Sequence, residues 1–590
     1  MTPTTLRPRL VAAMLVAGLG LPAGAQAAVE PEVSTAPGRI VFSVDGGAVQ
    51  RNVDATGATS ATALPDGSTL LIGSGGPVRT VLYAAKIGLN GALDRGFGSG
   101  GVLSFPSPRG TTYGPLDVLR QPDGRLLLVS ISRTSTLPAD PGRLQVTRLN
   151  ADLTLDRSYG AGGSATTALL GGGDAALAPD GAVVLTGYTG DVTTPPAPGT
   201  SPRLRWVVSR LTPAGAVDAA FGTNGLVTIP ALGSANGFNV AVGPDGTIVA
   251  EGQAQLGVRS RLLLTRLTAS GALDPGFGGG LPVVVPLASG FEMLVLGDGS
   301  VVLTGQPDSS GVPSPVSPPS RQVLARYTPA GVPDPAFGAG GFVELGTDIQ
   351  PTQLLPAAAG SVLVIGTPAN RVAPGSRPMP ARLNVRFVGP DGTFAGGSQG
   401  ITTDLAFGGG GSSFLATARP RPLASLFQNG FQGGRVVRRA DGSFLAAGGV
   451  AISQPTGEGS GFSTARFAAA ALTPLFTLDH AFGGPVTRPR LSVRLARQRA
   501  ISARTRRGIR IELKTSAVGL ARVKIKRANR TIAQSLLPVF KTTRHTLAVS
   551  LTRYGSSYLR THRNVRVSIT VTGRDLLTST ATATARGRLR

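Results

Sequence analysis

Recurring pairs of an aspartate and a basic residue are the first groups in this sequence whose spacing could support chemistry. The aspartates are Asp94, Asp156, Asp218, Asp274 and Asp334, and each follows one of the basic residues Lys86, Arg148, Arg210, Arg266 and Arg326 by eight positions. Such a pair can act in acid–base catalysis, or it can hold a turn through an ion pair. A catalytic pair is needed once, whereas a structural pair is needed in every repeat. The repetition therefore predicts that each aspartate anchors its own turn.

Other reactive side chains are scarce. The chain has no cysteine and only three histidines, His480, His545 and His562. Cysteine nucleophiles, thiolate metal sites and disulfides are thus excluded, and a multi-histidine metal site is disfavoured. The glycine runs at 171–173 and 408–411 lack the lysine and helix of a phosphate-binding loop. We predict no catalytic, cofactor-binding or metal-binding residue.

The aspartates belong to a larger internal repeat with three signatures. The first joins Leu, Val or Pro and Asp to an aromatic residue and Gly, with the aromatic at Phe97, Tyr159, Phe221, Phe277, Phe337 and Phe482. The second is Asp-Gly before a short apolar run, at Asp66, Asp123, Asp180, Asp245, Asp298 and Asp441, with Gly360 as a seventh copy that lacks its aspartate. The third is the basic residue, which recurs at Arg386 and Arg466. The signatures predict seven repeats, one of them degenerate.

Each repeat reads as four short β-strands. In the second repeat, turn residues separate the apolar segments Leu116 to Arg120, Arg125 to Ile131, Leu144 to Asn150 and Ser164 to Leu169. Four strands in about 60 residues, repeated seven times, are typical of a β-propeller. We therefore predict an all-β chain with a seven-bladed propeller over residues 38–485. The recurring aromatic residues should be buried between blades, and Trp206 should pack within a strand.

The motifs resemble the delta-sixty repeat family of bacterial β-propellers. The resemblance rests on the Asp-Gly strand, the Arg-Leu strand and the Leu-Asp-x-x-Phe-Gly-x-x-Gly turn, and it covers roughly Arg39 to Gly484. It implies the propeller fold and export, and no defined activity. The sixth repeat departs from the pattern, because it lacks the Leu-Asp-x-x-Phe-Gly motif and carries an apparent insertion from Ile401 to Arg435.

The N-terminal segment bears on ring closure. Arg39 to Val44 matches the strand that elsewhere ends a repeat, such as Gly101 to Phe105. If it is the outer strand of the last blade, it removes the unpaired edges where the ring would otherwise be open. Residues 1–27 have a basic start, a short apolar run and the small-x-small motif Ala25-Gln26-Ala27, which together predict a secretory signal.

The last 105 residues, 486–590, form a separate region. They carry 25 Lys and Arg against Glu512 and Asp575, so the rest of the chain holds only about three of the 26 net positive charges. Apolar and basic residues alternate, as in Ala521 to Ile525, which predicts strands with one face in a core. We expect a small immunoglobulin-like β-sandwich, with Thr552 to Asn564 as a candidate helix. Its charge admits two interpretations: the region binds an anionic polymer of the envelope, or it has a basic, soluble exterior without a partner.

Two hypotheses for function follow from this sequence. The leading one is a secreted or envelope-associated, non-enzymatic propeller that binds an extracellular protein or glycan. Its binding surface would be long loops gathered on one face, such as Thr134 to Gly142 and Gln306 to Arg321. The alternative is a hydrolase, lactonase or lyase with its site in the central channel. Acidic residues converging there would favour the enzyme.

Overall fold

The structure is a computed structural model. It describes residues 33–36, 39–42, 50–51, 58–75, 81–106, 112–133, 142–190, 203–231, 233–256, 259–307, 321–368, 382–394, 401–404, 435–455, 461–474, 490–500, 503, 508–516, 519–539, 544–575 and 580–590. The expected signal segment, His480 and most of the long loops lie outside these residues. Within the described ranges, no helix combines the length and apolar character needed to cross a membrane.

The described chain is almost entirely β-strand, and its strands follow the predicted repeat. Three strands precede the first complete repeat: β1 (Val33–Ala36), β2 (Arg39–Phe42) and β3 (Gln50–Arg51). Unit 1 then consists of β4 (Ala58–Ala63), β5 (Thr69–Gly75), β6 (Val81–Ile87) and β7 (Val102–Pro106), paired antiparallel in that order. Every later unit repeats this arrangement, with its first strand here called the inner strand and its fourth the outer strand.

Units 2 and 3 share one long strand. Unit 2 contains β8 (Thr112–Arg120), β9 (Leu126–Arg133), β10 (Arg143–Leu149) and the start of β11 (Ser164–Leu177). Unit 3 contains the end of β11 with β12 (Val183–Thr189), β13 (Arg205–Leu211) and β14 (Leu226–Thr228). The four strands predicted for the second repeat are confirmed, and the fourth continues into the next unit. Gly171, with φ +72°, lies where this strand passes from one unit to the other.

Units 4 to 6 are separate four-stranded sheets. Unit 4 has β15 (Ala235–Val242), β16 (Ile248–Leu256), β17 (Arg259–Leu267) and β18 (Val283–Val285). Unit 5 has β19 (Leu287–Val295), β20 (Val301–Pro307), β21 (Gln322–Tyr327) and β22 (Phe342–Gly346). Unit 6 has β23 (Ile349–Pro356), β24 (Val362–Pro368), β25 (Arg382–Val388) and β26 (Ile401–Asp404). Short 3-10 turns lie at Gly278–Gly280 and Ala358–Gly360.

The sixth unit corrects one sequence assignment. The sequence predicts an insertion from Ile401 to Arg435. In the structure, Ile401–Asp404 forms the outer strand of unit 6 and pairs with β25. Arg435 directly precedes the inner strand of the next unit. Four short polar and β-branched residues are enough for an outer strand, and the missing Leu-Asp-x-x-Phe-Gly motif concealed it. The remaining inserted residues, 405–434, lie outside the described part of the chain.

The N-terminal strand completes the last unit. Unit 7 contains β27 (Val436–Arg438), β28 (Phe444–Pro455), β29 (Gly461–Leu472) and β2, with β1 paired beyond β2 and β3 paired to the start of β29. Arg39 pairs with Ala470, and Phe42 pairs with Phe467. Ile40 and Phe42 are fully buried. The expected pairing of this segment with the last repeat is confirmed.

Hydrophobic clusters join neighbouring units. Inner strands contact one another in the order β4, β8, β11, β15, β19 and β23, and β27 and β28 contact β4. The second strands are continuously apolar, and Leu126 to Val129 is fully buried. Each cluster combines residues from two units, as where Phe277 of unit 4 packs with Leu303 of unit 5. The core is therefore a series of layers between sheets.

The C-terminal region has its own core. One sheet contains β30 (Leu491–Leu495), β31 (Gly508–Thr515) and β34 (Arg544–Ser550), and the other has the order β33 (Arg530–Val539), β32 (Gly519–Arg527), β35 (Val565–Asp575) and β36 (Thr580–Leu589). Both sheets contribute to one buried cluster that includes Ile511, Val523 and Ile569. The expected helix is confirmed as α1 (Arg553–Thr561), with the Thr552 hydroxyl accepting a hydrogen bond from Gly555 N.

Candidate functional site

Seven polar residues occupy equivalent positions at the inner strands, and we call them the inner ring. Each lies six residues before the aspartate of Asp-Gly, or before Ala359, which replaces that aspartate in unit 6. In unit order the residues are Ser60, Asp117, Asp174, Asn239, Glu292, Gln353 and Arg435. A position that is polar in all seven units, at the start of an otherwise apolar segment, requires an explanation beyond packing.

A local irregularity of the strand presents each of the first six residues. The pairing register between the inner strand and its neighbour shifts just before each of them, for example between Pro115 and Asp117 and between Gly290 and Glu292. A β-bulge of this kind redirects a side chain and is frequent beside functional sites. A register shift precedes the ring residue in six units, and it is larger before Asp174, where β11 passes from unit 2 to unit 3.

Arg435 shows that the ring residues converge. Its guanidinium belongs to unit 7, yet Nη2 lies 3.8 Å from Asp117 Oδ2 in unit 2 and Nη1 lies 3.6 Å from Glu292 Oε2 in unit 5. Neither of those units is adjacent to unit 7. The three side chains are 31%, 22% and 20% exposed, so solvent reaches all of them. The arginine therefore bridges two carboxylates that belong to the inner strands of two different units.

Other members of the ring hold neighbouring units together. Ser60 Oγ donates to Asp117 Oδ1 at 2.6 Å, which joins units 1 and 2. Val240 N donates to Asp174 Oδ2 at 3.2 Å, which joins units 4 and 3. Gln353 donates to Val436 O at 3.0 Å and accepts from Val436 N at 2.7 Å, which joins units 6 and 7. The ring is thus also part of the contact between units.

A buried glutamate lies directly behind the ring. Glu251, on β16, is 0% exposed, and its Oε2 accepts a hydrogen bond from Asn239 Nδ2 at 2.9 Å. Its Oε1 is buried and accepts no hydrogen bond. A β-carbon at Gly290 would lie 2.0 Å from this oxygen, so a larger residue there would displace the Glu251 carboxyl group. Gly290 lies two residues before Glu292, and Glu251 therefore occupies the space between two ring positions.

The environment of these carboxyl groups favours their neutral form. Burial raises the pKa of Glu251 to about 7, and the charge of Asp174 adds to the effect. Burial also raises the pKa of Glu292 to about 7, supported by the charges of Asp174, Asp117 and Glu251. Asp174 has a pKa of about 6 because of its burial and the nearby Asp117. For Arg435, burial lowers the pKa, but the charges of Asp117, Glu292 and Asp174 outweigh it and keep the guanidinium protonated.

The arrangement combines groups that can exchange protons near neutral pH with a fixed cation. Such groups suit acid–base chemistry and also the recognition of a charged ligand. No set of three or more His, Asp or Glu side chains that could hold a metal ion occurs in the described ranges. Neither the inner ring nor Glu251 was predicted from the sequence as a candidate site. Counting six residues back from each Asp-Gly would have found the ring, whereas nothing local distinguishes Glu251.

The aspartates singled out from the sequence have the predicted structural role. Arg148 Nε donates to Asp156 Oδ2 at 2.8 Å, and Arg266 Nε donates to Asp274 Oδ2 at 2.6 Å. The other three predicted pairs lie within ion-pair distance at 3.1 to 3.4 Å. The second oxygen of each aspartate accepts a backbone N–H two residues ahead, as between Asp218 and Ala220. Each aspartate therefore anchors its own turn.

The same basic residues also reach the next unit. A guanidinium nitrogen of Arg210 donates to Ala269 O at 2.8 Å, and Arg326 donates to Pro390 O at 3.0 Å. Arg439, which lies outside the predicted set, donates to Leu89 O at 2.8 Å and so links unit 7 to unit 1. Arg386 has no aspartate eight residues ahead and pairs instead with Asp348 at 2.6 Å. The side chain of Arg466 lies outside the part of the chain that the structure describes.

The predicted packing of the aromatic residues is confirmed where the structure describes them. Tyr159, Phe221, Phe277 and Phe337 are at most 1% exposed, and Phe97 is 7% exposed. A β-carbon at Gly271 would lie 2.9 Å from Phe221, so a turn of the following unit covers this ring. Trp206 is fully buried, and its Nε1 donates to Thr186 Oγ1 at 2.9 Å.

The C-terminal region presents a second candidate surface. Alternate residues of three strands point away from the core and carry cations, which we call the basic face: Arg522, Lys524 and Lys526 on β32, Arg566 on β35, and Arg586 and Arg588 on β36. Arg566 pairs with Arg588, and Ser568 lies between Lys526 and Arg586. None of the described outward side chains on these three strands is acidic. Glu512 lies in the other sheet, paired with Arg494 at 2.6 Å.

Comparison with known proteins supports the architecture. A family model described as "Domain of unknown function (DUF5122) beta-propeller" matches residues 121–159 and 243–277, which contain the signatures of units 2 and 4. A search of curated proteins finds no significant match.

Similar solved structures include the polysaccharide lyase Uly1, at 13% identity and TM-score 0.39, covering 71% of this chain and 91% of that one. Trypanosoma rangeli sialidase is 11% identical with TM-score 0.32, covering 73% of this chain and 60% of that one. Identities this low carry nothing about activity. The matched repeats and the strand order support a β-propeller built from repeated units.

Proposed function

We propose that the chain is an exported, seven-bladed β-propeller followed by a small β-sandwich, and that it acts as a non-enzymatic binding protein. Units 1 to 7 would be the blades, within residues 38–485, and residues 486–590 the sandwich. The pairing of β2 with β29 and the bond from Arg439 to Leu89 support a closed ring. The signal-like residues 1–27 support export. A partner at the long loops stays a prediction, because most of their residues lie outside the described ranges.

We further propose that the basic face retains the protein at the cell envelope by binding an anionic polymer. The carrying observation is that the described outward side chains of β32, β35 and β36 include six cations and no acid. Residues two apart on a strand lie about 7 Å from each other and adjacent strands about 5 Å, so the cations form a closely spaced array. Such an array releases condensed counter-ions when it binds a polyanion, which makes the affinity steeply dependent on salt.

Long-chain inorganic polyphosphate, with neutral dextran as the control polymer, tests this proposal. We expect the mature protein to bind polyphosphate at low salt and to lose at least tenfold in affinity between about 50 and 200 mM salt. The triple variant Lys524→Gln, Lys526→Gln and Arg586→Gln should weaken binding at least tenfold. A matched control removes three exposed cations elsewhere, Arg494, Arg497 and Arg499. Equal losses for both variants would show that net charge, and not this face, is responsible.

An enzyme with its site at the inner ring is the second candidate. The observation in its favour is that Glu251, Glu292 and Asp174 have raised pKa values beside Asp117. Hydrolysis of model esters, lactones and glycosides, and lyase action on anionic polysaccharides, can be compared between the wild type and Glu292→Gln. Turnover that Glu292→Gln abolishes would refute the non-enzymatic proposal. Turnover that Glu292→Gln leaves unchanged would argue against the inner ring as the site, and absence of activity on all these substrates would support the non-enzymatic proposal.

A further inference from the structure

The inner ring and Glu251 contain more carboxyl groups than described cations that act on them. Four carboxyl groups lie near one another: Asp117, Asp174, Glu251 and Glu292. The only described cation named among their electrostatic partners is Arg435. Its contacts of 3.6 and 3.8 Å are longer than a good charged hydrogen bond, which is nearer 2.8 Å. One loosely held guanidinium therefore serves three of these carboxyl groups, and no described cation acts on the fourth, Glu251.

The described carboxyl groups are not arranged as a set of metal ligands. A bound Ca²⁺ requires six or more oxygen ligands within about 2.6 Å. The described residues contain no group of three His, Asp or Glu side chains arranged for this. The carboxyl groups are nevertheless near enough to raise one another's pKa. This combination suits a ligand whose positive charge is distributed over several atoms or groups.

The unbonded oxygen of Glu251 is an independent sign that a donor is missing. A buried oxygen without a hydrogen bond is costly and uncommon in a folded protein. Oε1 is such an atom, and it lies against Gly290 beside the ring, while Asn239 occupies the other oxygen. This oxygen lies where the β-carbon of any other residue at position 290 would be. An N–H donor from a ligand at the ring, directly or through a water molecule, would satisfy this oxygen.

We propose that the inner ring binds an organic cation with two or more ammonium or guanidinium groups. The cation lies among Asp117, Asp174 and Glu292, and Arg435 occupies part of the same field and competes with it. This inference goes beyond the proposed retention at the envelope, because it concerns a different region of the chain.

Cation binding at the inner ring should be coupled to the release of protons from its carboxyl groups. At neutral pH part of the carboxyl population is protonated, and a bound cation stabilises the ionised form. Binding therefore releases protons and becomes tighter as the pH rises from 6 to 8. Among the described residues, the charged groups that act on these carboxyl groups are Asp117, Asp174, Glu251, Glu292 and Arg435. A purely structural network would show no such coupling to an added amine.

Calorimetric titration of the mature protein with spermidine tests the site, with calcium chloride and sorbitol as controls. We expect spermidine to bind at least tenfold more tightly at pH 8 than at pH 6, and to release protons when two buffers of different ionisation enthalpy are compared. Glu292→Gln should weaken binding at least tenfold. Glu344→Gln removes the same charge from an exposed carboxylate on β22 and should change affinity less than twofold.

Removing the internal competitor gives a test that a structural role cannot imitate. Arg435→Gln should bind spermidine at least fivefold more tightly, provided that circular dichroism shows the native fold. No binding by the wild type, tighter binding of Ca²⁺ than of spermidine, or weaker binding by a folded Arg435→Gln variant would each overturn the proposal. The Lys524, Lys526 and Arg586 triple variant should bind spermidine normally, so the two proposals fail separately.

Discussion

Replacing Glu251 by glutamine should stabilise the protein at alkaline pH and have much less effect at acidic pH. Glu251 is fully buried, and glutamine preserves both its shape and the oxygen that accepts from Asn239. The substitution removes only the ability to ionise. It therefore isolates the electrostatic cost of a carboxylate that burial holds near neutrality.

The magnitude follows from the pKa of this group. Burial moves the pKa of Glu251 from 4.5 to about 7. Ionising Glu251 in the folded protein therefore costs about 3 kcal/mol more than in the unfolded chain. Because the folded pKa is the higher one, the folded state binds more protons between the two values. The cost is small at about pH 5, grows as the pH rises through 7, and reaches its full size near pH 8.

Chemical denaturation of the wild type and Glu251→Gln at several pH values measures this difference. We expect the free energy of unfolding of the variant, relative to the wild type, to rise by about 2 to 3 kcal/mol between pH 5 and pH 8. Glu344→Gln is the control, because its carboxylate is 65% exposed and should give no such trend. A difference for Glu251→Gln that does not change with pH would refute the reasoning, since it would mean that Glu251 titrates as an ordinary carboxylate.

Three further substitutions test the fold around the site, each by equilibrium unfolding. Gly290→Ala should cost about 2 kcal/mol because its β-carbon would lie 2.0 Å from Glu251 Oε1, and Glu251→Ala in the same chain should recover part of the loss. Asp218→Ala should cost about 1 kcal/mol, through the lost bond from Ala220 N and the lost pair with Arg210, and unchanged stability would contradict the turn-anchoring role. Ile40→Ala should cost about 3 kcal/mol because this fully buried residue lies in the strand that completes unit 7, and a negligible effect would argue against that strand's place in the core.

Much of the fold could be predicted because the same turn residues and apolar strands recur in each repeat. Asp-Gly requires a turn with positive φ at glycine, and Gly124 and Gly181 adopt φ values of +87° and +84°. The buried second strands were visible as apolar runs, and the pairing of Arg39 to Phe42 with the last repeat followed from their likeness to Gly101 to Phe105. In each case one segment could be compared with several others in the same chain. The strands and turns could therefore be predicted by comparing the repeats with one another, without knowledge of the contacts between them.

The features that escaped sequence reasoning depend on distant contacts. Glu251 lies within a strand that reads Ile-Val-Ala-Glu-Gly-Gln, and only its burial against Gly290 reveals that its charge is unusual. Arg435 was assigned to an insertion because the motif that precedes it is degenerate. Its contacts with Asp117 and Glu292 join residues more than 300 and 140 positions away. No local sequence pattern predicts contacts between residues so far apart in the chain.

The two kinds of repeated residue in this chain have different roles, and their pattern of identity separates them. In units 1 to 5 the aspartate of the turn keeps its identity, and its basic partner is Arg in four units and Lys86 in unit 1, since each of these turns needs the same anchor. The inner ring keeps its polarity but changes from Ser60 and Asp117 to Gln353 and Arg435. Structural need alone would favour one residue type at a repeated position, as it does for the turn aspartate of units 1 to 5. A position that is always polar and seldom the same is where a repeat protein can build one asymmetric site at the centre of a symmetric fold, and this is the reason for placing the cation site there.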